Sequence, residues 1–197
     1  MIAAIFVDPK GVYSTLDGVQ LWGLPDRDAR DYAGPLPVVA HPPCARWCRL
    51  AGLVEARWGH KKGEDGGCFK HALECVRQFG GVLEHPAYSD AWKAFDLPRP
   101  LGHGQWIQGP CGGWAVHIDQ AWYGHKAKKA TWLYAHGRGT LPIFPQRFAP
   151  PSGYPVSWCG NHVKSTEKRP RIGKREASAT PPEFAEVLCS IARQCSQ

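Results

Sequence analysis

Among the 197 residues no apolar run approaches the roughly 18 needed to span a bilayer, which argues against a helical membrane protein. The opening Met1-Ile2-Ala3-Ala4-Ile5-Phe6-Val7-Asp8 lacks the basic lead and cleavage site of a signal peptide. It is expected to be a first strand, and the chain is expected to be cytoplasmic. No internal repeat and no low-complexity linker break the sequence, which leaves a single domain. Acidic residues are few, 17 against 24 Lys+Arg, so the net charge is +7 and the pI about 9.1. That surplus is compatible with a polyanionic partner. A charged fraction of 21% beside 43% hydrophobic residues excludes a disordered chain. Eight cysteines are present, but their spacing is irregular and the chain is long enough for a real core. They read as thiols or metal ligands rather than as a disulfide scaffold.

Gly (22) and Pro (18) are abundant and spread throughout, which predicts many turns and short elements. Ile2 to Val7 and Leu36 to Ala40 are short apolar runs stopped by Asp8-Pro9 and by His41-Pro42-Pro43, the pattern of buried strands. Between Asp65 and Phe79, Phe69, Ala72, Leu73, Val76 and Phe79 recur at helical spacing, and Gly80-Gly81 supplies a stop. Val82-Leu83-Glu84 then reads as a strand ending at His85-Pro86. Trp114 to Ile118 and Thr131 to Ala135 read as two more. Near the end, Thr180 is the expected N-cap of a helix over about 181–194, with Glu183 completing a capping box and Phe184, Val187, Leu188 and Ile191 on one face. This alternation predicts an α/β layered fold. Lys164, Lys168, Arg169, Arg171, Lys174 and Arg175 form a basic loop at about 160–178, either a solvated surface or a contact to nucleic-acid backbone.

Three strand ends carry polar residues that a core does not require. In His41-Pro42-Pro43-Cys44-Ala45-Arg46-Trp47-Cys48 the prolines hold an extended turn that presents Cys44, and Arg46 or His41 is placed to favour its thiolate. An inert buried cysteine is the plainer alternative. Glu84 closes an apolar strand, where a carboxylic acid needs a partner or a task; a raised pKa there would let it protonate a ring nitrogen. A turn cap is its plainer role. Between Asp119 and Tyr134 a glycine turn carries Lys126, Lys128 and Lys129 among aromatic residues, fit to grip phosphate and stack on bases. A packed basic hairpin would look the same.

Taken in order, these segments resemble the DNA (cytosine-5)-methyltransferases. Pro42-Pro43-Cys44 resembles that family's Pro-Pro-Cys loop, and Val82-Leu83-Glu84-His85-Pro86 its Glu-Asn-Val strand. Tyr123-Gly124 with Lys126, Lys128, Lys129 and Trp132-Leu133-Tyr134 is similar to its Tyr-Gly-Val-Pro-Gln-x-Arg-x-Arg segment, and Thr180-Pro181-Pro182 through Ile191 to its closing helix. His-Pro-Pro-Cys, Leu-Glu-His-Pro and Thr-Trp-Leu-Tyr also resemble elements of small uncharacterised bacteriophage proteins, for which host cytoplasm is the expected compartment. The resemblance implies a reduced, Rossmann-like methyltransferase-type sheet in one domain. Cys44 would add to C6 of a flipped cytosine while Glu84 protonates N3. S-adenosylmethionine would lie against Phe6, Asp8, Gly11, Asp28 and Pro42. DNA would meet Arg46, His85, Lys126, Lys128 and Lys129.

The chain departs from that family where Ile5-Phe6-Val7-Asp8-Pro9-Lys10-Gly11 stands for a Phe-x-Gly-x-Gly turn, and where His85 replaces an asparagine. It is also too short for all the early β-α units and for a separate target-recognition domain. A zinc deaminase is excluded, because no His-x-Glu precedes Pro43-Cys44 and Cys48 lies one residue too far on. A structural zinc at Cys44, Cys48, Cys159 and His162 is a minor alternative. A methyltransferase fold that binds DNA or protein without turnover is the main one.

Overall fold

Short apolar runs at Ile2–Ile5 (β1), Val19–Trp22 (β2), Val38–Ala40 (β3) and Gly81–Pro86 (β4) make the parallel part of a seven-stranded sheet. Ile107–Gln108 (β5), Trp114–Asp119 (β6) and Ala130–His136 (β7) complete it in the order β2-β1-β3-β4-β7-β6-β5, with every pairing from β4 to β5 antiparallel. The computed structural model describes residues 1–48, 50–144 and 172–196. The chain is thus a mixed α/β domain.

Helices cover both faces, so the central strands are apolar on both sides. Cys68–Phe79 (α2) and Asp90–Ala94 (α3) pack with Ala3, Ile5, Val38, Ala40, Leu83, Trp132 and Tyr134. Pro182–Gln194 (α5) covers Ile2, Ala4, Val39, Val82, Val116 and Leu133 on the opposite face. Phe184, Leu188 and Ile191 of α5 are fully buried. Each stabilises the fold by about 1.5–3 kcal/mol through apolar burial. Lys174–Ser178 (α4) precedes α5, so the carboxyl-terminal part of the expected basic loop is helical. Residues 145–171, which hold the rest of that loop, lie outside the described residues.

The register lines up the rows that matter for function. Ala4, Val39 and Val82 form one row across β1, β3 and β4, and Ile5, Ala40 and Leu83 form the next. One residue further on come Phe6, His41 and Glu84, with the His41 amide donating to the Ile5 carbonyl at 3.1 Å. Because β1 lies between β2 and β3, the chain leaves it in opposite directions. The carboxyl ends of β1 and β3 therefore flank the switch point at which open α/β sheets place ligands.

Local readings needed correction in four places. The last helix takes Pro181, not Thr180, as its N-cap, and no side chain caps it. Strand β4 ends at Pro86 as expected but already begins at Gly81, a residue read as part of the stop of the preceding helix. Edge strand β2 and the helix Ala51–Trp58 (α1) were not foreseen. Only Ala51 of α1 is buried, so the helix has no periodic apolar stripe to signal it.

Candidate functional site

Cys44 sits on a turn anchored from behind by Trp47. The Trp47 and Cys48 amides both donate to the Cys44 carbonyl, at 3.0 and 2.9 Å, which closes one turn of chain around the nucleophile candidate. Trp47 is buried against Phe69 and Phe95, and its indole N–H donates to Asp65 Oδ2 at 2.7 Å. The same carboxylate accepts from the Phe69 amide at 2.8 Å. One acid thus caps the start of α2 and fixes the turn that carries Cys44. Cys44 itself is exposed. The protein packed around its sulfur nevertheless raises the thiol above the ordinary value; Glu84 and Cys48 push it further, and Lys129 opposes them. The expected activation by Arg46 or His41 is therefore not the dominant effect.

Glu84 lies in the row next to that turn, on the α5 side of the sheet, and is only 7% exposed. Its Oε2 accepts from His41 Nδ1 at 2.9 Å and its Oε1 from Gln120 Nε2 at 3.1 Å. Gln120 Nε2 also donates to Thr131 Oγ1 at 2.9 Å, which ties the acid to β7. On the other side of the imidazole, the Tyr13 hydroxyl lies 2.6 Å from His41 Nε2. Because a carboxylate only accepts, Nδ1 carries a proton directed at Glu84, and Nε2 is held by the phenol. Burial alone would raise the Glu84 pKa, but the His41 hydrogen bond and the charges of Lys129, His41 and His85 outweigh it and hold it down to about 2. Glu84 is thus an ionised carboxylate at rest, contrary to the raised pKa expected from its apolar strand. The sequence signal missed the hydrogen-bonding side chains, which come from segments 13, 41 and 120.

Tyr13, His41 and Glu84 have the connectivity of a hydroxyl, a base and an orienting acid. Tyr13 is only 3% exposed, and burial raises its pKa well above that of a free phenol. It fixes the ring of His41 and does not attack a substrate.

Of the residues expected at the donor side, Phe6 ends β1 with φ of 59°, a left-handed backbone that costs about 1–3 kcal/mol in a bulky residue. Asp8 Oδ1 accepts from the Lys10 amide at 2.9 Å, and Gly11 closes the same turn on the Asp8 carbonyl at 2.8 Å. Pro42 is buried beside the switch point. Asp28 is different: its carboxylate pairs with Arg30 at 2.5 Å and is held down to about 2 by that guanidinium. Asp26 lines the neighbouring cleft instead, with Pro9, Gln20, Leu21, Gly23 and Arg27, around a space of about 390 Å³.

The expected nucleic-acid residues also divide. His85 points to the other face of the sheet, is 1% exposed, and packs edge-on to Phe69 at 5.1 Å, so it is a core residue. It faces the Pro43 carbonyl without a well-formed hydrogen bond, and burial lowers its pKa to about 4. Lys129 Nζ donates to the Ser178 and Ala179 carbonyls, both at 3.0 Å, and acts on Glu84 and Cys44 as a nearby charge. Lys126 pairs with Glu176 at 2.5 Å. Lys128 is exposed, and Arg46 is half-buried with its carbonyl accepting from Gly63. Among the described residues no group of three or more His, Cys, Asp and Glu is placed to hold a metal ion. Cys159 and His162 lie outside them.

The chain matches no protein-family model, no curated protein and no solved structure.

Proposed function

We propose that the chain modifies cytosine at C5 in DNA, as a reduced, Rossmann-like relative of the S-adenosylmethionine-dependent methyltransferases. One observation carries the reading. An exposed thiol, Cys44, and a buried carboxylate, Glu84, come from the ends of adjacent parallel strands beside the switch point, near enough for their charges to act on one another.

The chemistry assigns each group a task. The Cys44 sulfur, once deprotonated, forms a bond to C6, and the displaced π electrons make C5 nucleophilic. Its raised resting pKa means that this step needs help from bound substrate or from Lys129. The ionised Glu84 is set to accept a hydrogen bond from the exocyclic amino group of cytosine, a pairing that uracil and thymine do not offer. Among the described residues no donor meets the buried Gln120 Oε1 beside it, which suits a second N–H from the base. As charge develops on the ring, Glu84 must first gain a proton, which then passes to N3.

A cleft beside β2, rather than the expected Phe6, Asp8, Gly11, Asp28 and Pro42, suits an S-adenosyl donor. The cleft of about 390 Å³ has a size suited to a nucleoside-sized ligand, and Asp26 stands where dinucleotide folds place a carboxylate for ribose hydroxyls. Leu21 and Pro9 supply apolar walls. When bound, the donor supplies the electrophilic methyl group. Free thiols at the described cysteines fit a reducing compartment such as cytoplasm.

Transfer of labelled methyl groups from S-adenosylmethionine to DNA tests the reading. Wild type transfers label, and Cys44→Ala and Glu84→Gln do not. DNA binding without transfer by wild type would favour the non-catalytic binding module, a role that the raised Cys44 pKa also suits.

A further inference from the structure

An acid that donates a proton must first hold one, and Glu84 does not. Both of its oxygens accept hydrogen bonds, from His41 Nδ1 and Gln120 Nε2, so the resting group is a carboxylate. Each neighbour can be asked whether it could load the missing proton. Gln120 is an amide and has none to give. Lys129 has its Nζ committed to the Ser178 and Ala179 carbonyls and reaches Glu84 as a charge. His85 is on the same strand but turns to the opposite face, among Phe69 and Trp92. His41 remains. It is hydrogen-bonded directly to Glu84, and 13% of its side chain is exposed, so it meets solvent.

Resting on the cytosine-modifying reading, we propose that His41 is a positioning residue that loads the proton Glu84 delivers to the ring, with Tyr13 holding the imidazole in line. The proton count closes. The imidazolium of His41 passes its Nδ1 proton to Glu84 Oε2, leaving neutral imidazole and a carboxylic acid. The acid gives that proton to N3 as the Cys44 sulfur bonds to C6, and the Cys44 thiol proton leaves to solvent, where it balances the proton His41 took up. After methyl transfer the ring returns its N3 proton to Glu84, and the C5 proton leaves to solvent as the C5–H electrons re-form the C5–C6 double bond and expel the Cys44 thiolate. The groups in contact with His41 are the Tyr13 hydroxyl from the turn after β1 and the Glu84 carboxylate from β4; His85 acts on it only as a charge from the opposite face, and Lys129 from the β6–β7 connection acts on Glu84. Tyr13 fixes the ring through Nε2 and leaves Nδ1 aimed at the acid. The sealed, hard-to-ionise phenol at this position is a hinge pin for the imidazole rather than a second acid.

The test measures the rate of covalent adduct formation with DNA containing 5-fluorocytosine and S-adenosylmethionine across a pH series. Three proteins are compared: wild type, His41→Gln and Tyr13→Phe. His41→Gln keeps an N–H donor for Glu84 but cannot carry the proton. It is expected to slow adduct formation by about 100-fold and to lose the descending high-pH limb of the wild-type profile. Tyr13→Phe keeps the imidazole and is expected to retain that limb with a smaller loss of rate. Wild-type rate and profile in His41→Gln would overturn the role of His41 while leaving the methyltransferase reading intact. No adduct with wild type at any pH would instead remove that reading and this one with it. If His41→Gln fails to fold, the wild-type profile decides, because a rate that does not fall at high pH contradicts proton loading.

Discussion

At the residue scale, Cys44 and Glu84 differ in what their replacement should cost. Cys44 is exposed, so Cys44→Ala is expected to change stability by less than about 0.5 kcal/mol while abolishing methyl transfer. Thermal melting and the transfer assay on the same preparation check both halves. Glu84→Gln turns one end of an acceptor-only group into a donor opposite His41 Nδ1 or Gln120 Nε2, and is expected to cost about 1–3 kcal/mol by urea unfolding. Both residues were legible in the sequence as reactive side-chain types placed at strand ends. The state of Glu84 was not. Its apolar neighbours in β4 suggest a raised pKa, whereas its partners His41 and Gln120 lie 43 and 36 residues away in the chain and hold it ionised. No local pattern announces a hydrogen bond across that separation.

At the scale of elements, β4 carries opposite messages on its two faces. Glu84 points to the α5 side and the site, while His85 points into the α2 and α3 core. Burial lowers the His85 pKa from 6.5 to about 4, so the unfolded chain binds a proton in that window and the folded chain does not. Stability is therefore full above pH 6.5 and falls as pH drops towards 4, by about 3 kcal/mol from this group. His117, buried with a pKa also lowered to about 4, acts in the same direction. Denaturant unfolding between pH 7 and 4 reads this slope, and His85→Phe is expected to flatten it. Gly81, at the start of β4, has φ of 126°, and a Cβ there would lie 2.0 Å from the Val38 carbonyl oxygen. Gly81→Ala is expected to destabilise the sheet by about 1–3 kcal/mol or more, seen as a lowered unfolding midpoint. The central strands and α2 were legible because burial on one or both faces writes itself into apolar periodicity. β2 and α1 were not, since Gln20 interrupts a half-exposed edge and α1 buries little beyond Ala51.

At the scale of the molecule, the strand order brings the candidate groups to one end of the sheet. The switch point, the nucleophile turn, the buried acid and the cleft lined by Asp26 all lie along the carboxyl ends of β1, β2, β3 and β4. The basic surplus is partly internal. Lys126 and Lys129 hold the β6–β7 connection against α4 through Glu176, Ser178 and Ala179. If DNA is the partner, its affinity is expected to fall linearly in log–log terms with salt, and a flat response would remove it. The most direct measurement of the central claim is mass mapping of the protein after incubation with 5-fluorocytosine DNA and S-adenosylmethionine. The account predicts a donor-dependent nucleotide adduct on the peptide carrying Cys44 and none in Cys44→Ala. Folded wild-type protein that binds the DNA and the donor yet carries no adduct at Cys44 would contradict it.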